Sequence, residues 1–309
     1  MIQQSDKPNF MVIGAQKAAS TALLAALRTH PQVWMPEQED PFLRDPVFES
    51  DVLPRFFARY AGREEPFIGL KCPDYLARPE VPERISNLLG RTKLIVILRD
   101  PVERAISAYF WHVRWGALPI EDPNDGLRRV IDGSYRTIDP TVDDILEWGL
   151  YARHISRYLD HFARDSLLIL DDRAFRKDRE AVLATTLEFL GADPTLPTSS
   201  PAYSNEGVYS LPRLRFLQLR NGVILKWNDE HSYFTIFKPR NLALRGYSNL
   251  IAATDRWVLA KVFGNRKPLI DPNVRAALEN YYREDAAALQ TLLPGMAPSW
   301  RWVQEGAEQ

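Results

Sequence analysis

Lys17 lies where an apolar run, Phe10 to Ile13, ends in Gly14-x-x-Lys17-x-x-Ser20-Thr21 and an apolar helical pattern follows at once. A strand stopping at Gly14, a tight turn and a helix opening near Ser20 would aim backbone N–H groups and the positive helix end at an anion, with the Lys17 ammonium beside them. The spacing therefore predicts a site for a phosphate-like group. It is not the nucleotide triphosphatase loop, because Gly-x-x-x-x-Gly-Lys-Ser/Thr needs a glycine directly before the lysine, and Gln16 stands there.

A second stretch has the same strand-then-helix grammar. Leu94 to Leu98 is a short continuous apolar run, as in a buried parallel strand. Asp100, Pro101 and Glu103 supply an N-cap, a first-turn proline and a capping-box acid, so a helix should begin immediately, with Val102, Ile106, Tyr109 and Val113 facing the sheet. Arg99 is left at the strand's carboxyl end and Ser107 lies about two turns into the helix, so guanidinium and hydroxyl can converge on one anion. Two anion sites at two strand ends imply one ligand with two charged ends.

Taken together, Gly14-x-x-Lys17-x-x-Ser20-Thr21 and Arg99-x-Pro101-x-x-Arg104-x-x-Ser107-x-Tyr109 resemble the paired donor-binding motifs of the sulfotransferases that use 3′-phosphoadenosine 5′-phosphosulfate (PAPS). Between them, Lys71-Cys-Pro-Asp-Tyr75 resembles the Lys-x-Pro-x-Tyr segment of the heparan-sulfate-type branch, and Gly149-Leu-Tyr151, Ser166 to Leu170 and Leu187 to Gly191 follow that branch in order. The resemblance implies that Gln16, Lys17, Ala18, Ala19, Ser20, Thr21 and Ala22 hold the 5′-phosphosulfate and that Arg99 and Ser107 hold the 3′-phosphate. It further implies that Tyr151, Arg266 and Lys267 lie near the nucleotide, and that adenosine 3′,5′-bisphosphate (PAP) is the product. Lys17 at the bridging oxygen and Lys71 across the sulfonate are the candidates for charge stabilisation. No metal is expected, since no ligand spacing for one occurs and the reaction needs none.

The base is read through a family segment, Lys-Glu-Pro-x-Phe-Phe, that matches Glu39-Asp-Pro-Phe-Leu43. In that register Asp40 replaces the glutamate, one methylene shorter, and Glu39 replaces the lysine, reversing a local charge. Asp40 is thus the candidate base, Glu37 the fallback, and His112 or His231 a minority choice; the bland alternative is a solvated acidic loop. A further departure is Ala19, where the family has glycine: its methyl requires the turn to keep negative φ or the donor to sit farther off.

Composition sets the outer limits. The 309 residues, 45% hydrophobic and 26% charged, suffice for one α/β domain over residues 1–309, with a central parallel β-sheet flanked by helices. With 39 basic against 40 acidic residues and no long basic block, a nucleic-acid partner is not indicated. Cys72 is the single cysteine, and Phe10 to Ile13 is only a strand's worth of apolar chain, so a cytoplasmic protein without a membrane span is expected.

The pattern predicts strands at Phe67 to Lys71 and Leu167 to Leu170. It predicts helices at Ala22 to Leu27, Val81 to Leu89, Tyr151 to Phe162 and Val182 to Leu190, and a last long one from Asp271 and Pro272. Residues 194–240 lose the alternation and carry prolines and aromatics; they either cover a hydroxyl acceptor, small molecule, sugar or lipid, or form a second layer of core. Two rival functions share this outline. A nucleotide-dependent kinase would need magnesium and an acid after a strand, with Asp171 and Asp172 the tempting pair; a PAP-binding module without catalysis would need neither. The acceptor's identity and the oligomeric state are not encoded in any motif of the chain.

Overall fold

The computed structural model describes residues 7–199, 207–227, 234–295, 300 and 302–303. In chain order it has β1 Phe10–Gly14, α1 Ser20–Leu27, β2 Val33–Trp34, α2 Leu53–Phe57, β3 Phe67–Lys71, α3 Val81–Leu89, β4 Lys93–Leu98 and α4 Pro101–Trp115. Then come α5 Pro123–Ile131, α6 Asp144–Glu147, α7 Tyr151–Leu159, β5 Leu167–Asp171, α8 Asp172–Lys177 and α9 Arg179–Leu190. The remainder is α10 Leu211–Gln218, α11 Asn221–Ile224, β6 Leu225–Trp227, β7 Phe234–Ile236, α12 Leu242–Thr254, α13 Ala260–Phe263 and α14 Pro272–Leu292. These residues cluster into two compact units. The first comprises Met1–Asp100, Leu150–Asn205 and Glu284–Gln309, and the second Pro101–Gly149 and Glu206–Arg283.

The first unit is built on a five-stranded sheet in the order β2-β3-β1-β4-β5, with every neighbouring pair parallel. β1, and β4 after its first residue Lys93, are apolar and buried because both sheet faces are covered. Phe10 pairs with Gly69 of β3 and with Lys93 of β4, which makes β1 the strand at which the chain's progress across the sheet reverses. In open parallel sheets the cleft at the carboxyl end of that strand is where ligands bind, and here that end is Gly14.

α9 starts earlier than the apolar pattern indicated, because the Asp178 side chain accepts from Ala181 N–H and caps it. Gly191 closes it in a left-handed conformation. α7 begins at Tyr151 because Asp285 caps it from outside, accepting from the N–H groups of Ala152 and Arg153 at 3.0 Å each. The short elements β2, α2, α5, α6, α8 and α10 to α13 and the β6–β7 hairpin have no counterpart in the sequence reading.

In the second unit α4 carries Val102, Ile106, Tyr109 and Val113 on its buried side, as their spacing requires. The β6–β7 hairpin packs Phe234 on Trp111 and Trp115 of that helix, with ring centroids 5.3 and 5.6 Å apart, and Tyr209 meets Phe110 at 5.1 Å. These aromatics of the 194–240 region pack on rings of α4, while Pro201, Tyr203 and Tyr233 lie outside the described residues. Among the described residues no helix is long and apolar enough to cross a membrane.

Candidate active site

The anion turn is fixed by main chain. β1 ends at Gly14, where a Cβ would stand 2.6 Å from the Leu76 Cβ, so only glycine passes. The next residue donates Ala15 N–H to the Ile97 carbonyl of β4 at 2.8 Å, which ties the turn to the neighbouring strand. Lys17 and Ala19 then adopt φ of 68° and 64°. Of the two ways open to Ala19, negative φ is not the one taken: the residue adopts the left-handed geometry, at a cost of about 1 kcal/mol for a non-glycine residue. In return the chain enters α1 at Ser20 with no side chain capping its first N–H groups.

Lys71, the last residue of β3, is 1% exposed, and its ammonium donates to Thr21 Oγ1 of the turn at 2.9 Å and to Glu39 Oε1 at 2.5 Å. The lysine thus joins a hydroxyl of the anion turn to a carboxylate whose side chain is half exposed. Asp40, the expected base, is turned the other way. It is buried, its Oδ2 accepts from Arg59 at 2.8 Å and from the Tyr60 hydroxyl at 2.9 Å, and its Oδ1 accepts from Phe42 N–H at 3.2 Å. Burial and the Asp40 carboxylate together push the Tyr60 hydroxyl far above its ordinary range, so that it stays a donor. Asp40 is a structural anchor, and the acid presented to Lys71 is the preceding residue. Glu37 is exposed and pairs with Arg28 at 3.1 Å.

The Lys-x-Pro-x-Tyr segment explains why the acidic loop stands where it does. Tyr75 donates its hydroxyl to the Asp40 carbonyl at 2.5 Å and accepts from Leu43 N–H at 3.0 Å, while Asp40 N–H donates to the Lys71 carbonyl at 3.1 Å. Asp74 binds Arg44 in a close ion pair and accepts from the Gln16 side chain, tying the turn and the acidic loop to one carboxylate. Burial raises the Asp74 carboxyl and the Arg44 and Gln16 contacts oppose it. Cys72 is buried with its thiol pushed well up, first by burial and then by Asp74, so it is inert. Arg44, Arg59, Tyr60, Asp74 and Tyr75 were not identified as site residues from the sequence; the one available signal was the Tyr that closes Lys71-Cys-Pro-Asp-Tyr75.

Arg99 leaves the end of β4 and donates to the Lys17 carbonyl at 3.0 Å, with Asp172 Oδ2 at 3.9 Å from its Nε. Asp172 also accepts from Arg176 at 2.9 Å, so the acid that a kinase would offer to magnesium is held between two guanidinium groups. Asp171 caps α8 by accepting from Arg173 N–H at 2.8 Å. Tyr151 is fully buried with its ring 6.0 Å from that of Trp300.

In the second unit Ser107 is buried within α4. Lys267 and Arg275 both grip Glu103, at 2.9 and 2.8 Å. Burial would raise Glu103, but the hydrogen bonds from Arg275 and Lys267 outweigh it and hold its pKa at about 2. Arg266 is exposed in the same loop. His112 pairs with Asp139 at 2.9 Å, both buried, as a structural dyad; His231 lies outside the described residues. Among the described residues no three His, Cys, Asp or Glu side chains cluster as metal ligands.

Comparison with known proteins bears on what this arrangement belongs to. The model of the sulfotransferase domain matches residues 7–287. Heparan sulfate glucosamine 3-O-sulfotransferase 3B1 of Mus musculus is 31% identical over 196 residues, 60% of this chain and 46% of that protein. The bifunctional heparan sulfate N-deacetylase/N-sulfotransferase 4 of Mus musculus is 27% identical over 307 residues, 95% of this chain and 31% of that protein. The chain thus spans less than half of the length of these curated relatives, 31% of one and 46% of the other. A sulfotransferase from Alicyclobacillus acidocaldarius shares the fold, with a TM-score of 0.64 at 20% identity over 93% of this chain and 95% of that one. By the match over nine-tenths of its length, the chain belongs to the sulfotransferase domain family.

Proposed function

We propose that the chain transfers the sulfonate group of PAPS to a hydroxyl of a sugar, lipid or other small-molecule acceptor, releasing PAP. The observation that carries this reading is the buried Lys71 ammonium, which touches the anion turn through Thr21 and an acid through Glu39 at the same time. The 5′-phosphosulfate would sit against the turn from Gln16 to Ala22, with Lys17 at the oxygen bridging phosphorus and sulfur and Lys71 across the sulfonate oxygens. The acceptor oxygen attacks sulfur in line, the bond from sulfur to the 5′-phosphate oxygen breaks, and the acceptor proton passes to a carboxylate. In place of Asp40 we assign that carboxylate to Glu39, because Asp40 is buried among Arg59, Tyr60 and Phe42 N–H while Glu39 already lies beside the lysine.

Arg99 and Ser107 are proposed for the 3′-phosphate and Arg266 and Lys267 for the far end of the nucleotide. Arg99 serves the 5′ side as well, since its guanidinium holds the Lys17 carbonyl. Residues 1–309 are proposed as one catalytic domain, because the family match runs through both compact units; the 194–240 region is proposed to cover the acceptor. A cytoplasmic setting is proposed on the single buried thiol. Titration calorimetry with PAP and with ATP, each with and without magnesium, tests the donor. PAP should bind without magnesium and ATP weakly; tight ATP binding that needs magnesium, with no response to PAP, overturns the assignment. Labelled PAPS incubated with a metabolite extract then reports the acceptor, and a PAP-binding protein that never labels one would be the inactive module.

A further inference from the structure

Large apolar side chains stand in water along residues 236–269 of the second unit. Eleven of the fourteen exposed large hydrophobic residues among the described ones fall there, including Leu242 at 79%, Trp257 at 64% and Leu269 at 87% exposure. Exposed leucines scattered singly are ordinary, but this many in one segment mark a contact surface. The segment is well-formed helix: the Asn241 side chain caps α12 by accepting from the N–H groups of Ala243 and Leu244, and α12 continues through a π-helical stretch, Asp255–Leu259, into α13. Of α12 only Ser248 and Ile251 are buried. It is tied to the rest of the unit by Asp255, held by Arg213 at 2.8 and 2.9 Å, and by the Tyr247 hydroxyl, which donates to the Leu219 carbonyl at 3.3 Å.

Charge says what covers this surface. Residues 236–269 carry seven basic residues, Lys238, Arg240, Arg245, Arg256, Lys261, Arg266 and Lys267, against one acid, Asp255, which Arg213 already neutralises. The whole chain has a net charge of −1, so the excess of six positive charges is local. Among the described residues, Lys267 is the one of the seven that forms an ion pair. Exposed Leu, Trp and Phe interleaved with Lys and Arg, in a helix too polar to span, is the composition of a helix lying in a membrane interface. A second copy would set two like-charged faces together, and a nucleic acid would leave the aliphatic side chains unrewarded.

We propose that residues 236–269 dock this protein on an anionic lipid bilayer, with Leu242, Leu250, Trp257 and Val262 entering the headgroup boundary and Lys238, Arg240, Arg245, Arg256 and Lys261 meeting lipid phosphates. The proposal is independent of the sulfonate-transfer reading. Vesicle co-sedimentation of the full chain tests it, with phosphatidylcholine alone against phosphatidylcholine mixed with phosphatidylglycerol. The chain should pellet with the mixed vesicles, not with phosphatidylcholine alone, and be released by added salt. Trp257→Ser with Val262→Ser, and separately Arg245→Glu with Lys261→Glu, should each lower the partition coefficient by about tenfold or more, with PAP affinity unchanged. Failure of the wild-type chain to distinguish the two lipids overturns the proposal without recourse to any variant. So does equal partition of wild type and both variants, or a wild-type dimer that the apolar variant dissociates while vesicles capture neither.

Discussion

Two loops meet at the Lys71 ammonium, and they are held there in different ways. The anion turn from Gly14 to Ser20 is positioned by its own main chain: a glycine pressed on Leu76, one N–H bonded to β4, and two left-handed residues that deliver the chain into α1. The acidic loop from Glu39 to Leu43 has little of that kind beyond the Phe42 N–H that donates to Asp40 Oδ1. It is clamped by side chains from elsewhere in the chain, Arg59 and Tyr60 on the Asp40 carboxylate and Tyr75 on the backbone to either side. A ligand-binding turn made of backbone tolerates varied side chains, whereas a carboxylate delivered to one ammonium requires its supports one by one. The difference is the ground for proposing Glu39 as the base, since Asp40 has its carboxylate oxygens satisfied by protein while Glu39 lies beside Lys71.

The sharpest way to break this contrast is to separate Glu39 from Asp40. Glu39→Gln should cut kcat by about a thousandfold, roughly 4 kcal/mol, with PAP affinity and melting temperature preserved. Lys71→Ala should cost about a hundredfold or more in turnover with a smaller loss of donor affinity, measured by kinetics and calorimetry together. Asp40→Asn should act on stability first, lowering it by about 2–3 kcal/mol in urea unfolding, because it removes a buried charge partner of Arg59 and Tyr60. If Asp40→Asn abolished turnover at full stability while Glu39→Gln remained active, the two roles would be reversed. Tyr75→Phe probes the backbone clamp and should cost about 1–2 kcal/mol, since Leu43 N–H and the Asp40 carbonyl both lose a buried partner.

The smallest effect belongs to the second unit and serves as a contrast in pH. Glu103 sits at about 2 when folded against an ordinary 4.5, so its contribution is complete above that ordinary value and is lost as pH falls toward 2. Since Lys267 and Arg275 are both more than a third exposed, screening reduces the gain to about 1 kcal/mol. Wild type should thus lose that margin over Glu103→Gln between pH 4.5 and 2, and parallel stability curves for the two proteins would show the triad to be inert.

What the residues encoded locally could be read locally. Phe67 to Lys71 and Val81 to Leu89 coincide with the strand and helix their patterns predict, and the apolar runs at β1 and β4 end where Gly14 and Arg99 end them, because sheet burial and helix caps act over a few neighbouring residues. The anion turn was legible for the same reason: its spacing is its geometry. The short helices α10, α11 and α13 were not, since they carry too few residues for a periodic signal, and α12 was not because it buries only Ser248 and Ile251 and so presents no apolar stripe to a core.

Lys71 is the meeting point of both kinds of information. Its place at the end of an apolar strand was written in the chain, and so was the acidic run, with Glu39 standing 32 residues before it. Which acid of Glu39 and Asp40 turns toward it was decided only when Arg59, Tyr60 and Tyr75 closed around the other, because neighbouring residues on a loop have the same local propensity and differ only in what the rest of the fold brings to each side chain.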